Sequence, residues 1–332
     1  MLSPAEQRSL LEIHDLCVEF RTPQPINALD GIDLDIREGE ILGLVGESGS
    51  GKTVLSLSLL RLISHPGCIA RGAIYWRGED LQQLDENTIQ GIRGKEMSII
   101  FQNPQASLNP VRTVKTHFVS LLQLHHRLTA SDAEHQAIGL LKEVGIPDPE
   151  RVMNSYAHQL SGGLCQRVMI AMAISCRPKL LIADEPTASL DTTIQAQIMD
   201  LLLALRDRLG MAILLVSHDL GVIARLCDRV AVMYLGRIVE VADALTLYDS
   251  PSHPYTRMLL QSVAVPDPRQ RERKRKNGNQ LADTPQSREV KLGSCRFYGR
   301  CSMAVERCQH TDPKLIPVNG NGHWVACIHY ET

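Results

Sequence analysis

The stretch ILGLVGESGSGKT, residues 41–53, leaves this chain few ways to fold. Its opening residues form an apolar run without alternation, which predicts a strand buried on both faces. The next eight, Gly46, Glu47, Ser48, Gly49, Ser50, Gly51, Lys52 and Thr53, fit the pattern G-x-x-x-x-G-K-[ST]. Val54 belongs to the same set and leads into TVLSLSLLRLI, whose pattern predicts a helix. Glycines at those places let backbone N–H groups curl around an anion, and the helix N-terminus adds its dipole. In that frame Lys52 would neutralise the outer phosphates of a nucleotide, and the Thr53 hydroxyl would take a Mg²⁺ position. Strand, glycine loop and helix in this order call for a sheet covered by helices, so an α/β fold is expected.

The rest of the chain fits that frame. Strand-length apolar runs recur at MSIIF (97–101), KLLIAD (179–184) and AILLVS (212–217), and RVAVM and RIVEVA, joined at Gly236, read as a hairpin. Within residues 11–45, LEIHDLCVEF and GIDLDIREGE alternate apolar with polar positions, predicting antiparallel strands with one solvated face. Between 103 and 178 the pattern is mostly helical; SDAEHQAIGLLKEVGI predicts a helix opened by a capping box of Ser131 and Glu134 and closed at Gly145 and Pro147. From 251 the pattern turns irregular, and DPRQRERKRKNGNQ reads as a solvated, charged linker.

A chain of 332 residues can hold one large domain plus a smaller appendage, or two modest domains. Its net charge of −2 gives no pull toward nucleic acid, and none is expected as a partner. No basic leader followed by an apolar core opens the sequence, and no run approaches the ~18 to 20 apolar residues of a membrane span. A soluble chain is expected, with any membrane role arising through partners. Nine cysteines without a leader point to reduced thiols or metal ligands rather than disulfides.

LLIADEP places two acids at the end of an apolar strand. Carboxylates there are costly unless a cation or a proton transfer uses them. Asp184 would hold Mg²⁺, and Glu185 would polarise an attacking water. Upstream lies QLSGGLCQRVMIAMA (159–173), and here the chain resembles the ATP-binding cassette (ABC) family, whose signature is LSGGQ-like and opens a helix. The resemblance implies that Ser161, Gly162 and Gly163 offer a hydroxyl and amides to a γ-phosphate. Leu164 replaces the frequent Gln, while Gln166 and Arg167 keep the Gln-Arg pair.

Further family elements come in order over residues 10–250. Gln102 in IIFQNP matches the Q-loop, which reaches toward Mg²⁺ and the attacking water. Leu190 and Asp191 in ASLD match the D-loop, His218 in LLVSHDL matches the switch histidine, and Phe20 sits where the family stacks an aromatic on adenine. The implied fold is a mixed sheet core with an antiparallel β subdomain and a helical signature subdomain at about 103–178. The implied activity is ATP hydrolysis, with Glu185, His218 and Gln102 catalytic. Each signature faces the phosphate loop of a second cassette, so a second ABC ATPase subunit, identical or homologous, is an expected partner.

Residues 251–332 narrow the expectation. SPSHPYTRMLLQS (250–262), a linker at about 264–291 and a Cys-rich tail at 292–332 resemble the C-terminal extension of oligopeptide/dipeptide/nickel importer ATPases. That resemblance implies two transmembrane permease subunits, an extracytoplasmic substrate-binding protein, and a peripheral place on the cytoplasmic face of the membrane. The segment NPQASLNPVRTV would lie where a permease docks, or be a plain surface loop. A soluble ABC ATPase without a permease, or an ATPase with a redox-sensing tail, are the competing readings.

Some members of that subfamily ligate a [4Fe–4S] cluster through four tail cysteines, and Cys295, Cys301, Cys308 and Cys327 are the matching residues. Their spacing is wider than the tight pairs usual for structural zinc. The cluster is the expected cofactor beside ATP and Mg²⁺; zinc or free thiols remain open. His310, His323 and His329 lie near enough in sequence to compete as ligands, whereas Cys17, Cys68, Cys165, Cys176 and Cys227 read as ordinary buried thiols.

Overall fold

A computed structural model describes residues 9–188, 190–262, 293–318 and 322–331. The long strands β1 (Ser9–Phe20) and β2 (Ile26–Arg37) lead into the short β3 (Ile41–Val45), and the glycine loop passes from there into α1 (Lys52–Leu59). The chain returns through β4 (Gly67–Trp76) and β5 (Glu79–Asp80), crosses by α2 (Glu86–Ile92), and re-enters the core as β6 (Met97–Ile100). A helical stretch follows: α3 (Pro104–Ser107), α4 (Val114–His126), α5 (Ala130–Glu143), α6 (Pro149–Met153) and α7 (Gly162–Ile174). Then come β7 (Leu180–Asp184), α8 (Thr192–Leu209), β8 (Ala212–Ser217), α9 (Leu220–Leu226), β9 (Arg229–Tyr234) and β10 (Arg237–Asp243). The described chain closes with α10 (Ala244–Asp249), α11 (Pro254–Ser262), β11 (Ile316–Val318) and β12 (His323–Val325).

Strands β2-β1-β4-β5 form an antiparallel sheet, and β11-β12-β10-β9-β3-β8-β7-β6 form a larger mixed one. Its central strands β9, β3, β8, β7 and β6 run parallel, while β10, β12 and β11 add antiparallel pairs at one edge. Period-two alternation explains why the apolar runs are unbroken. In β7 and β8, Leu180, Ile182, Ala212, Leu214 and Val216 pack toward the antiparallel sheet and α1. Their neighbours Leu181, Ala183, Ile213 and Leu215 pack on the opposite face with residues of α4, α5, α7, α8 and α9. Both faces are covered, as the sequence requires.

Local departures have local causes. The buried positions of β1 are Leu10, Leu11, Ile13, Leu16 and Val18, so the alternation slips by one residue between Ile13 and Leu16. The structure places a bulge there, with Asp15 at φ 45°, which restores the inward face. The helix expected from Ser131 starts two residues earlier in effect: Thr129 is the N-cap and accepts from the Asp132 N–H at 3.2 Å. The closing signal at Gly145 holds, with φ 76° just beyond the helix. Strand β4 carries glycine at both Gly67 and Gly72, which hid its pattern, and α11 lies in the stretch expected to be irregular.

The tail corrects the cofactor expectation. The described tail residues, 293–318 and 322–331, are joined to the large sheet, where β12 pairs with β10 through Glu240↔Val325 and Val241↔Trp324. Cys308 and Cys327 are buried, and half-buried Cys295 and Cys301 pack against the main core. Burial, with smaller contributions from the other three tail cysteines and against a hydrogen bond with the Phe297 backbone, pushes the Cys295 thiol up to about 11. Burial likewise pushes Cys301 and Cys327 upward. Among the described residues, no group of three or more His, Cys, Asp or Glu side chains is arranged to hold a metal ion. The expected [4Fe–4S] cluster on Cys295, Cys301, Cys308 and Cys327, and its zinc alternative, are therefore overturned, and these side chains serve as packing groups. Membrane association likewise finds no basis in the chain's own elements: among the described residues no helix is long and apolar enough to cross a membrane. The expected linker at about 264–291 lies outside the described residues.

Candidate active site

Parallel strands bring their C-terminal ends to one edge of a sheet, and side chains from separate loops meet there. In this chain Val45 of β3 is in register with Ser217 of β8, and Val216 of β8 with Asp184 of β7. The glycine loop, the paired acids, His218 and the segment after β6 consequently converge.

The glycine loop turns through Gly49 (φ 78°) and Gly51 (φ 107°). A Cβ on Gly51 would stand 2.7 Å from the Ala28 carbonyl oxygen and 2.9 Å from Met233 Cε, so only glycine lets the loop lie this close to β2 and β9. Lys52 folds back from the start of α1. Its Nζ donates to the carbonyl oxygens of Gly46 at 2.8 Å and Glu47 at 2.9 Å, and lies 3.5 Å from Ser50 Oγ. Burial lowers its pKa, while the carboxylates of Glu185, Asp184 and Glu47 act the other way. A buried ammonium held by two carbonyl oxygens of a glycine loop is suited to phosphate oxygens.

Asp184 ends β7 with 3% of its surface exposed. Burial raises its carboxyl pKa, a hydrogen bond with the Thr53 side chain opposes that, Glu185 raises it further, and Lys52 lowers it. Its Oδ1 is buried without a hydrogen-bond partner. An orphaned carboxylate oxygen at that depth, beside a threonine hydroxyl, is the donor set a hard divalent cation takes, so Asp184 and Thr53 fit Mg²⁺.

Glu185 adopts φ 46°, a left-handed conformation costing on the order of 1–3 kcal/mol for a side-chain-bearing residue. Its N–H donates to the Val216 carbonyl at 3.0 Å, which pins the turn to β8. The turn aims the carboxylate between two loops: Gln102 Nε2 donates to Oε2 at 2.8 Å, and His218 Nδ1 lies 3.4 Å from Oε1. Lys52, Thr53, Asp184, Glu185, Gln102 and His218 thus form one site.

Other expected residues lie elsewhere. Ser161 caps α7, its Oγ accepting from the Leu164 N–H at 3.4 Å. Among the described residues no hydrogen bond or ion pair joins Ser161, Gly162 or Gly163 to the glycine loop, and Gln166 is buried with Nε2 unpartnered. Asp191 caps α8 by accepting from the N–H groups of Thr193 at 3.1 Å and Ile194 at 3.0 Å. Phe20 ends β1, partly buried against the core that includes the antiparallel sheet. Among the ordinary thiols, Cys165, Cys176 and Cys227 are buried, whereas Cys17 and Cys68 are only half-buried.

Two residues not expected at the site reach it from the far end of the chain. Tyr255 Oη accepts from the Glu47 N–H at 2.9 Å, and Arg300 donates to both carboxylate oxygens of Glu47 at 2.8 Å. No local pattern signals a bond between residues so distant in sequence.

A phosphate-accepting loop with paired acids at the parallel-strand edge defines a phosphate-loop nucleoside triphosphatase. Comparison with known proteins narrows this. Residues 29–188 match the family model described as ABC transporter, and residues 239–308 match that described as oligopeptide/dipeptide transporter, C-terminal region. The oligopeptide transport ATP-binding protein AppD of Bacillus subtilis is 44% identical over 97% of each chain. The dipeptide transport ATP-binding protein DppD of Escherichia coli is 42% identical over 92% of this chain and 93% of its own. A solved dimeric ATP-binding cassette, in a post-hydrolysis state bound to ADP and Pi, superposes with TM-score 0.64 and 27% identity, over 70% of this chain and 98% of its own. The chain belongs to the ATP-binding subunits of the oligopeptide/dipeptide ABC transporter family. Its activity as a member is ATP hydrolysis.

Proposed function

We propose that this chain powers peptide import, hydrolysing ATP at a site completed by a second cassette. The observation that carries the reading is the meeting of Gln102, Glu185 and His218 beside Lys52 and Asp184. In this reading the glycine loop, residues 46–54, and Lys52 bind the phosphates. Glu185 takes a proton from the attacking water, Gln102 and His218 orient the carboxylate and the outer phosphate, and Phe20 stacks on adenine. Asp184, Thr53 and Gln102 would hold Mg²⁺, which when bound neutralises phosphate charge. The chain carries one cassette, so its signature residues Ser161, Gly162 and Gly163, with Gln166 and Asp191 behind them, would serve the nucleotide of a partner cassette.

Peptide as the cargo rests on the relatives named for oligopeptide and dipeptide transport. Two permease subunits and an extracytoplasmic binding protein would complete the assembly, with this chain on its cytoplasmic side. The segment after Gln102 is the proposed permease contact, supported by Val111, which is 80% exposed there. The cassette is taken as residues 10–250, and 251–332 as an importer-type extension.

The test is Glu185→Gln in the assembled transporter. Removing the proton acceptor while keeping the side chain's volume should cut turnover by about 10²–10³-fold and leave MgATP binding intact. The ATP-bound cassettes should then persist as a closed pair in sedimentation. Turnover equal to the parent's would remove Glu185 from the chemistry and with it this reading.

A further inference from the structure

We infer that the segment after residue 250 holds the phosphate loop ready for nucleotide, and that Arg300 is its positioning residue. The inference rests on the loop being the nucleotide site.

Glu47 occupies an awkward place. It follows Gly46 directly, so its carboxylate stands on the loop that must accept a polyanion. An unpaired carboxylate there would repel the phosphates. Arg300 closes a two-bond fork on it, 2.8 Å to each oxygen, in the geometry that makes arginine–carboxylate pairs strong and directional. The hydrogen bonds that Arg300 donates to Glu47 and desolvation act on the guanidinium in opposite senses, and the bonds win, raising its pKa. The guanidinium lies 5.7 Å from the ring centre of Tyr234 and 5.9 Å from that of Phe297, so its approach is fixed by packing.

The backbone of Glu47 is held too. Its N–H donates to Tyr255 Oη at 2.9 Å, and its carbonyl oxygen accepts from Lys52 Nζ at 2.9 Å. Tyr255 is fully buried and packs on Tyr234 and Phe297. A second tie reaches the other shoulder of the loop. Arg296 donates to the Leu235 carbonyl and to Asp30, and the next residue, Gly236, donates its N–H to the Ser50 carbonyl at 2.8 Å. Both shoulders of the loop are therefore braced by residues from beyond the cassette. In this arrangement Arg300 cancels a charge that opposes nucleotide and keeps the Glu47 carbonyl on Lys52.

Titration calorimetry of the full chain with MgADP, which is not turned over, tests this. The parent must bind MgADP; if it does not, the nucleotide-site reading fails rather than this inference. Arg300→Ala should weaken binding about tenfold at low salt, equivalent to about 1.4 kcal/mol. The deficit should shrink as salt screens Glu47. Arg300→Gln, which keeps most of the stem and a donor, should show the same salt-sensitive deficit and serves if the alanine variant does not fold. Combining Glu47→Gln with Arg300→Ala should return affinity to within about threefold of the parent, since the repelling charge is gone. Affinity within twofold of the parent in both single Arg300 variants, or a double variant as weak as Arg300→Ala, would overturn the role.

Discussion

Glu240 offers the sharpest test of how the tail is attached. It sits inside the apolar run RIVEVA, in the middle of β10, and is 0% exposed. Its carboxylate accepts from the Ser252 N–H at 2.6 Å and the His253 N–H at 3.0 Å, and His323 Nε2 lies 2.8 Å from it. One side chain thereby joins β10 to the start of α11 and to β12. Glu240→Ala would leave two buried backbone donors and a buried imidazole without their partner. Each orphaned group costs about 1–3 kcal/mol, and partial relaxation brings the sum to about 4 kcal/mol, within the range for breaking a buried pair. That corresponds to about a thousandfold rise in the opening equilibrium of the tail. Native-state hydrogen exchange reads it locally. The Ala326 N–H donates to the Val239 carbonyl at 2.8 Å and reports on β12 docking, while amides of β8 report on the central sheet. Ala326 should lose about three orders of magnitude of protection as β8 amides change little. Glu240→Gln keeps the volume but turns an NH₂ toward donors, so about half that loss is expected. If Ala326 protection stayed within threefold of the parent, or fell equally in β8, Glu240 would not be the clamp described.

Two further outcomes come from buried titrating groups. Burial depresses the pKa of His253 to about 4, whereas the unfolded chain has the ordinary value near ~6.5. Above ~6.5 both states are neutral and this group imposes no penalty; as pH falls toward 4 only the unfolded state gains the proton, so stability drops by up to about 1.4 kcal/mol per pH unit. Urea midpoints between pH 7.5 and 5 should show that slope, His253→Asn should flatten it, and an unchanged slope in the variant would exclude His253 as its source. The Cys295 thiol, raised to about 11 by burial, should alkylate with iodoacetamide at pH 8 about a hundredfold more slowly than in the urea-unfolded chain. Equal rates in the two states would show that burial does not govern it.

Legibility in the sequence follows the range of the interactions. The phosphate loop, the acids of β7 and the helix opened by the signature are readable because each is a short local pattern whose geometry a few residues determine. Their convergence was readable as well, since parallel strands must present their loops at one edge. The extent of β1 was readable only with its bulge at Asp15, where the apolar spacing itself changes. The tail was misjudged for the opposite reason. Four cysteines in a short chain end suggest ligands when spacing is all that is seen, but their burial, and the raised thiol pKa values of Cys295, Cys301 and Cys327, come from what the tail packs against. The same holds for Glu240, whose burial inside RIVEVA depends on the start of α11 and on β12 closing over it. Arg300 and Glu47 are the extreme case, being 253 residues apart. A motif is the part of a site that must be local because backbone amides have to curve around one ligand. The groups that hold the curve face no such constraint and can come from anywhere the fold delivers a charge of the right sign. In this chain the delivery comes from the C-terminal segment, which makes the tail part of the phosphate site's support even though the sequence sets it far from that site.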